Sequence, residues 1–191
     1  MTLMNPWILI SLLLPAAVFM VLEMRGVPVV LQLPFKGDIK RESQWLAQFG
    51  QAVATAAAMA LIYAFEPSQW LKPVAVGAAV TCTSLSVFVI KRLTGRVRPN
   101  RENAGKFLGP TLKHANWRES FPSSHSACAI ALTVSLSILY PQAQVVFWSL
   151  GLITAVLRYL MDAHWPSDVL AGIAAGYVAG HLVMRGFGFV A

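Results

Sequence analysis

The chain has 191 residues, 57% of them hydrophobic and 12% charged, with a formal net charge of +7. Its mean hydropathy of +0.61 reflects more apolar surface than a soluble domain of this size can bury, which excludes a water-soluble globule and assigns the chain to a bilayer. In that setting the positive charge points to lipid headgroups as partner, and not to nucleic acid.

Six apolar runs stand out, over about 3–22, 45–65, 71–90, 122–141, 144–161 and 166–185. They predict an all-α polytopic protein, a six-transmembrane-helix bundle forming one domain over residues 1–191. The first run is uncharged from Met1 to Leu22 and lacks a basic leader, so it reads as a retained helix rather than a signal peptide. No lipidation signal is apparent. Pro15 is expected to kink this helix. The stretch from Glu23 to Ser43 holds Pro28, Pro34 and Gly37-Asp38 and reads as an interfacial connector, too interrupted to span. Trp7, Trp45, Trp70 and Trp165 stand at run starts, where interfacial aromatics belong.

The second run is rich in alanine, and the sixth carries Gly172-x3-Gly176-x3-Gly180. Small residues at this spacing let helix backbones approach closely. The pattern serves packing, within the chain or between two copies, and the oligomeric state stays open. The fifth run is short for a span and is expected to extend into its flanks. Cys82 and Cys128 each lie inside an apolar run, without metal-ligand spacing, and read as unbridged packing residues.

The connector from Lys91 to Phe121 breaks the pattern. It holds Lys91, Arg92, Arg96, Arg98, Arg101, Lys106, Lys113 and Arg118, opposed only by Glu102 and Glu119. Contact with anionic lipid accounts for Arg92, Arg101, Lys106 and Lys113. Lys91 and Arg98 differ, because they frame the run Lys91-Arg-Leu-Thr-Gly-Arg-Val-Arg98-Pro99. Pro99 biases Arg98 away from helix and stiffens the turn that would hold it.

A second cluster, Ser120-Phe-Pro122-Ser123-Ser124-His125, opens the fourth run. Ser120 is suited to an N-cap with Pro122 in the first turn. The N–H groups of Ser123 and Ser124 would then point out of a helix N-terminus, a ready anion site, with His125 beside them. A plain capped helix with an interfacial histidine is the competing account.

A third cluster, Arg158 through His164 to Asp168, sits between the fifth and sixth runs. Pro166 suits the first helical position, which puts Asp168 in the first turn and His164 four residues before it. The pair can meet, with the carboxylate fixing the imidazole tautomer and raising its basicity. Arg158 can add a forked cation. Such a group suits nucleophilic attack on a phosphate. An interfacial salt-bridge cluster closing a helical hairpin is the alternative. Two helices separate the second cluster from the third, so both fall on one membrane face, together with Lys91 and Arg98.

These residues resemble the type 2 phosphatidic acid phosphatase (PAP2) superfamily of membrane-bound lipid phosphatases. Its motifs Lys-x6-Arg-Pro, Pro-Ser-Gly-His and Ser-Arg-x5-His-x3-Asp are matched by Lys91 to Pro99, Pro122 to His125, and Arg158 to Asp168. The motif region is residues 91–168. Ser124 replaces the family glycine, and Leu157 the serine before the arginine. The resemblance implies that His164 attacks phosphorus to give a phosphohistidine and that Asp168 orients it. It implies that His125 protonates the leaving group and then activates water. Lys91, Arg98, Arg158 and the N–H groups of Ser123 and Ser124 would hold the phosphate oxygens. No metal or other cofactor is implied. Expected substrates are phosphatidic acid, phosphatidylglycerol phosphate, an isoprenyl pyrophosphate or a phosphorylated glycolipid. Transfer to an acceptor other than water, or binding without catalysis, are the alternatives.

The expected location is the bacterial cytoplasmic membrane. All Lys and Arg except Lys72 and Arg185 fall on the motif face. The positive-inside rule would put that face in the cytoplasm. The resemblance to bacterial members favours an extracytoplasmic site, which is the expectation adopted.

Overall fold

The computed structural model describes residues 4–31, 36–161 and 164–190. Pro34 of the first connector and the Asp162–Ala163 pair inside the third motif lie outside them.

The chain is all-helical, as expected, but the described residues form seven α-helices rather than six. They are α1 (Pro6–Met24), α2 (Gly37–Leu46), α3 (Ala52–Phe65), α4 (Leu71–Thr94), α5 (Ser124–Leu139), α6 (Gln144–Leu160) and α7 (Pro166–Gly186). The additional helix, α2, occupies part of the stretch read as an irregular connector. Four helices are long and apolar enough to cross a membrane: α1, α4, α6 with the turn before it (Pro141–Leu160), and α7. A fifth span arises if Gly37–Gly50 and Ala52–Phe65, bent by 59° to one another, count as one. This is a multi-pass membrane protein.

The apolar run over 45–65 is therefore not one helix. It breaks at Gly50-Gln51, where a neighbour comes close. A Cβ on Gly50 would stand 2.4 Å from the His125 carbonyl oxygen, so backbone meets backbone there. The fifth run gains its missing length at its N-terminal flank, where a 3-10 turn over Pro141–Ala143 leads into α6.

Helix α5 is the centre of the bundle. Every residue from Ser126 to Leu136 is buried, as a helix apolar on all sides must be. It contacts α4, α6 and α7. The glycine stripe of α7 is used within the chain. Added Cβ atoms would stand 2.6 Å from Ser123 O at Gly172, 2.1 Å from Ala127 O at Gly176 and 3.0 Å from Val134 Cβ at Gly180. The stripe thus lets α7 lie directly on α5. By contrast α1 is mostly exposed; among its described residues only Ala16 and Glu23 are buried.

The basic connector is ordered by its own backbone. Gly95 ends α4 in the left-handed region (φ +60), and a side chain there would collide with Gly109 O and Arg118. Arg96 and Phe107 then form an isolated antiparallel bridge. Further N–H groups tie Val97 to Lys106, Arg98 to Trp117 and Ser120 to Arg96. At the opposite end of the bundle Lys72 pairs with Glu66 and lies 5.4 Å from the centre of the Tyr140 ring.

Candidate active site

Each motif supplies side chains to one end of the bundle. The charges of Arg158, Lys91 and Arg98 bear on His125, and those of Lys91 and Arg98 on His164. Lys91 is buried in the last turn of α4, where its Nζ donates to the Glu119 carbonyl at 2.6 Å. An ammonium has three protons, so this bond fixes the group while leaving donors to spare. Arg98 is held as the Pro99 turn led one to expect, with its N–H on Trp117 O at 2.9 Å and its Nε on Asn116 O at 2.8 Å. Burial lowers the Arg98 pKa from its ordinary value, while the charges of Asp168 and Glu119 oppose the shift. Arg158 lies in the last turn of α6. Its Nε is buried without a hydrogen-bond partner among the described residues. A buried unpaired donor is costly, and in a native site it marks a place that a ligand can fill.

The start of α5 differs from the reading of the sequence. Ser123, not Ser120, is the N-cap, its Oγ accepting from Ser126 N at 3.4 Å and pairing with Ser126 Oγ at 2.8 Å. Ser120 is buried and donates its hydroxyl to Asp168 Oδ2. The Ser123 N–H donates to the Asp168 carbonyl at 2.9 Å. Ser123 is therefore a tie between α5 and α7, and its amide is not a free phosphate donor. Ser124 occupies the first helical position and His125 the second, where amides have no partner inside the helix. The amides at this end that helix geometry leaves open to an outside acceptor are those of Ser124 and His125.

His164 and Asp168 are adjacent in space as their i, i+4 spacing requires. The His164 Nδ1 lies 3.7 Å from Asp168 Oδ2, with both side chains 1% exposed or less. That separation exceeds a hydrogen bond, and Nδ1 has no other partner among the described residues. Contacts of this kind often tighten only once substrate is bound. Burial above all, with the charges of Lys91 and Arg98, pushes the His164 pKa down to about 3 against the pull of Asp168. The imidazole is thus neutral and keeps a lone pair for attack. Asp168 is itself well held. Its Oδ2 accepts from Trp165 N at 3.0 Å and from the Ser120 hydroxyl, and its Oδ1 from Arg96 at 2.6 Å.

Arg96 and Glu23 are the residues that sequence reading passed over. Both are buried and paired with each other at 2.7 Å. Glu23 did carry a signal, as the first charge after an uncharged span, where charge is costly and usually functional. Arg96 carried none that separates it from Arg92 or Arg98. The two histidines outside the motifs have structural contacts. His114 pairs with Glu119 at 2.9 Å, and His181 bonds Tyr177 O at 2.9 Å.

Several openings adjoin the bundle. A groove of about 370 Å³ between α3, α4 and α5 is lined by Thr55, Thr81, Ser84, Leu85 and Cys128 and ends at Ser124 and His125. A cavity of about 330 Å³ lined by Ser137, Gln144, Trp148 and His181 carries no motif residue.

Residues 72–190 match the family model of the PAP2 superfamily. The chain belongs to that superfamily. The matched region contains all three PAP2 motifs and leaves α1, α2 and α3 outside. Among PAP2 relatives, the lipid A 1-phosphatase of Rhizobium etli is 36% identical over 99 residues, covering 51% of this chain and 42% of that protein. The lipid A 1-phosphatase of Porphyromonas gingivalis is 33% identical over 85 residues, covering 42% of this chain and 19% of that protein. The matched stretches thus span less than half the length of these relatives. The crystal structure of the first transmembrane PAP2 type phosphatidylglycerolphosphate phosphatase from Bacillus subtilis superposes with a TM-score of 0.65. That superposition covers 94% of this chain and 95% of that one at 19% identity, so the two share a fold.

Proposed function

We propose that this PAP2 protein is a membrane phosphatase that hydrolyses a lipid phosphomonoester or pyrophosphate through a phosphohistidine on His164. One observation carries the reading: a buried, neutral His164 backed by Asp168 lies under the charges of Lys91 and Arg98, and the same two cations together with Arg158 bear on His125 at the start of the facing helix. In the first step the His164 lone pair forms a bond to phosphorus and the bond to the leaving oxygen breaks. His125 gives that oxygen a proton. The three cations and the amides of Ser124 and His125 stabilise the charge gathered on the equatorial oxygens. In the second step His125 takes a proton from water, the water oxygen bonds to phosphorus, and the P–N bond breaks. Phosphate leaves and His164 is neutral again. Asp168 offsets the positive charge that the ring acquires between the steps.

The groove ending at His125 suits a lipid whose tail stays between helices while its phosphate reaches the cations. Six crossings account for the layout if α2 and α3 form one bent span and the central 16-residue α5 another. The relatives' names favour a phosphorylated glycolipid among the candidate substrates. The test is phosphate release by purified protein from a panel containing lipid A 1-phosphate, phosphatidic acid, phosphatidylglycerol phosphate and undecaprenyl pyrophosphate, with and without EDTA. Turnover of at least one lipid, unaffected by EDTA and abolished in His164→Ala, is expected. Phosphate that appears only on a second, mass-labelled acceptor would establish a transferase instead. Binding of the panel lipids without turnover would overturn the enzymatic reading.

A further inference from the structure

The first motif contains two arginines two residues apart, and they serve different partners. Arg98 bears on the phosphate cluster. Arg96 is fully buried beneath it, 5.2 Å from the Phe107 ring centre and 5.4 Å from that of Trp165. Its Nη1 donates to Asp168 Oδ1 at 2.6 Å and to Ser167 Oγ at 2.7 Å. Its Nη2 donates to Glu23 Oε2 at 2.7 Å. Glu23 also accepts from the Ser167 amide at 3.1 Å and from the Ser167 hydroxyl. One guanidinium thus bridges two carboxylates brought together from α1 and α7, all three side chains being 0% exposed. We propose that Glu23 and Arg96 are positioning residues that fix the geometry and the net charge of Asp168, and through it set the nucleophilicity of His164.

Charge balance within the group explains the need for a second carboxylate. A buried ion pair of Arg96 with Asp168 alone would be neutral, and Asp168 would then do little for a ring that becomes positive during attack. Glu23 holds the second arm of the guanidinium and restores one negative charge to the group. That excess charge lies closest to His164, whose Nδ1 is 3.7 Å from Asp168 Oδ2, and it also bears on Lys91 and Arg98. The burial cost is tolerable because the carboxylate oxygens meet donors on both sides. Helix α1 is otherwise mostly exposed, and its one buried charged side chain is invested here. Glu23 also lies outside the stretch that matches the family.

This inference rests on His164 being the nucleophile, so the experiment separates the two. Phosphoenzyme formation and steady-state turnover of p-nitrophenyl phosphate are measured for folded wild type, His164→Ala, Glu23→Gln, Glu23→Asp and the double variant Glu23→Gln/Arg96→Gln. Glu23→Gln keeps shape and loses charge. Its kcat should fall by about 10–100-fold, as for groups that act through another residue, with KM within about twofold of wild type. The double variant returns the group to a single negative charge and should recover part of the loss, whereas a merely structural pair would lose more. Glu23→Asp keeps the charge, withdraws the carboxylate by one carbon, and should fall between wild type and Glu23→Gln; it carries the test if Glu23→Gln does not fold. Wild-type kcat in Glu23→Gln, or in Glu23→Asp if that variant must stand in, overturns the proposal while a dead His164→Ala keeps the parent reading. So does a double variant worse than Glu23→Gln. A phosphoenzyme that still forms in His164→Ala overturns both.

Discussion

The proposed mechanism places different demands on the two histidines, and the difference is measurable. A nucleophilic His164 is needed whatever the leaving group, so His164→Ala is expected to abolish turnover of lipid and artificial esters alike. His125 as general acid matters most when a basic alkoxide must be protonated, an effect of about 10²–10⁴-fold. Nitrophenolate departs without that help. His125→Ala is therefore expected to harm lipid phosphate hydrolysis far more than the first step on p-nitrophenyl phosphate, where a burst of nitrophenol survives. Equal losses on both substrates would reverse the assignment. The low pKa of His164 also has a stability consequence. Its value falls from 6.5 to about 3 on folding. Between these values the unfolded chain takes up a proton that the folded chain refuses, so stability is present above pH 6.5 and is lost as pH falls toward 3. Thermal melts in detergent from about pH 7 down to about pH 4 should show Tm declining in wild type and declining less steeply in His164→Asn. Parallel slopes would show that His164 is not held neutral by the fold.

At the scale of elements, the proposed catalysis requires α7 to lie closely against α5. His125 belongs to α5 and Asp168 to α7, and the Ser123 amide joins them directly through the Asp168 carbonyl. The Gly176 position is the tightest of the stripe, with Ala127 O at 2.1 Å from an added Cβ. Neither backbone can yield as a flexible side chain could. Gly176→Ala is expected to cost about 1–3 kcal/mol of stability, the range for overpacking a filled interior, and to reduce kcat by displacing the two motif halves. Gly186→Ala, with nothing within 4 Å of its Cβ, serves as the control and should match or slightly exceed wild type. Thermal melts and phosphate release on both variants check this pair. A Gly176→Ala protein with wild-type Tm would show that α5 and α7 can part without penalty.

At the scale of the whole molecule, the six-span reading puts every Lys and Arg except Lys72 and Arg185 on the motif face, and under the proposed mechanism part of that charge serves catalysis, which orientation rules do not weigh. Arg96 adds to that part, being paired inside the site. An extracytoplasmic site in the bacterial cytoplasmic membrane is the expectation. A single cysteine at exposed Lys113, in a background with Cys82 and Cys128 replaced, should react with an impermeant thiol reagent on intact cells. Protection until the cells are opened would place the site in the cytoplasm.

Hydropathy and local spacing were enough to read the helical membrane class, the position of the apolar runs and the three motifs. Those features are encoded within a few turns of chain, as with Pro166 opening α7 and Asp168 following His164 by four residues. Long-range closure decided the rest. Gly50 stands at the break ahead of α3 with the His125 backbone directly against it, a contact no local spacing announces, and α2 is a separate element. Ser120 caps nothing because Asp168, distant in sequence, takes its hydroxyl. The glycine stripe could equally have served a dimer until α5 was found to fill it. Arg96 and Arg98 share one charge and one motif, and only the position of Glu23 and Asp168 around Arg96 distinguishes their roles. A buried charge takes its role from the partners that surround it, and those partners come together only when the whole chain is folded.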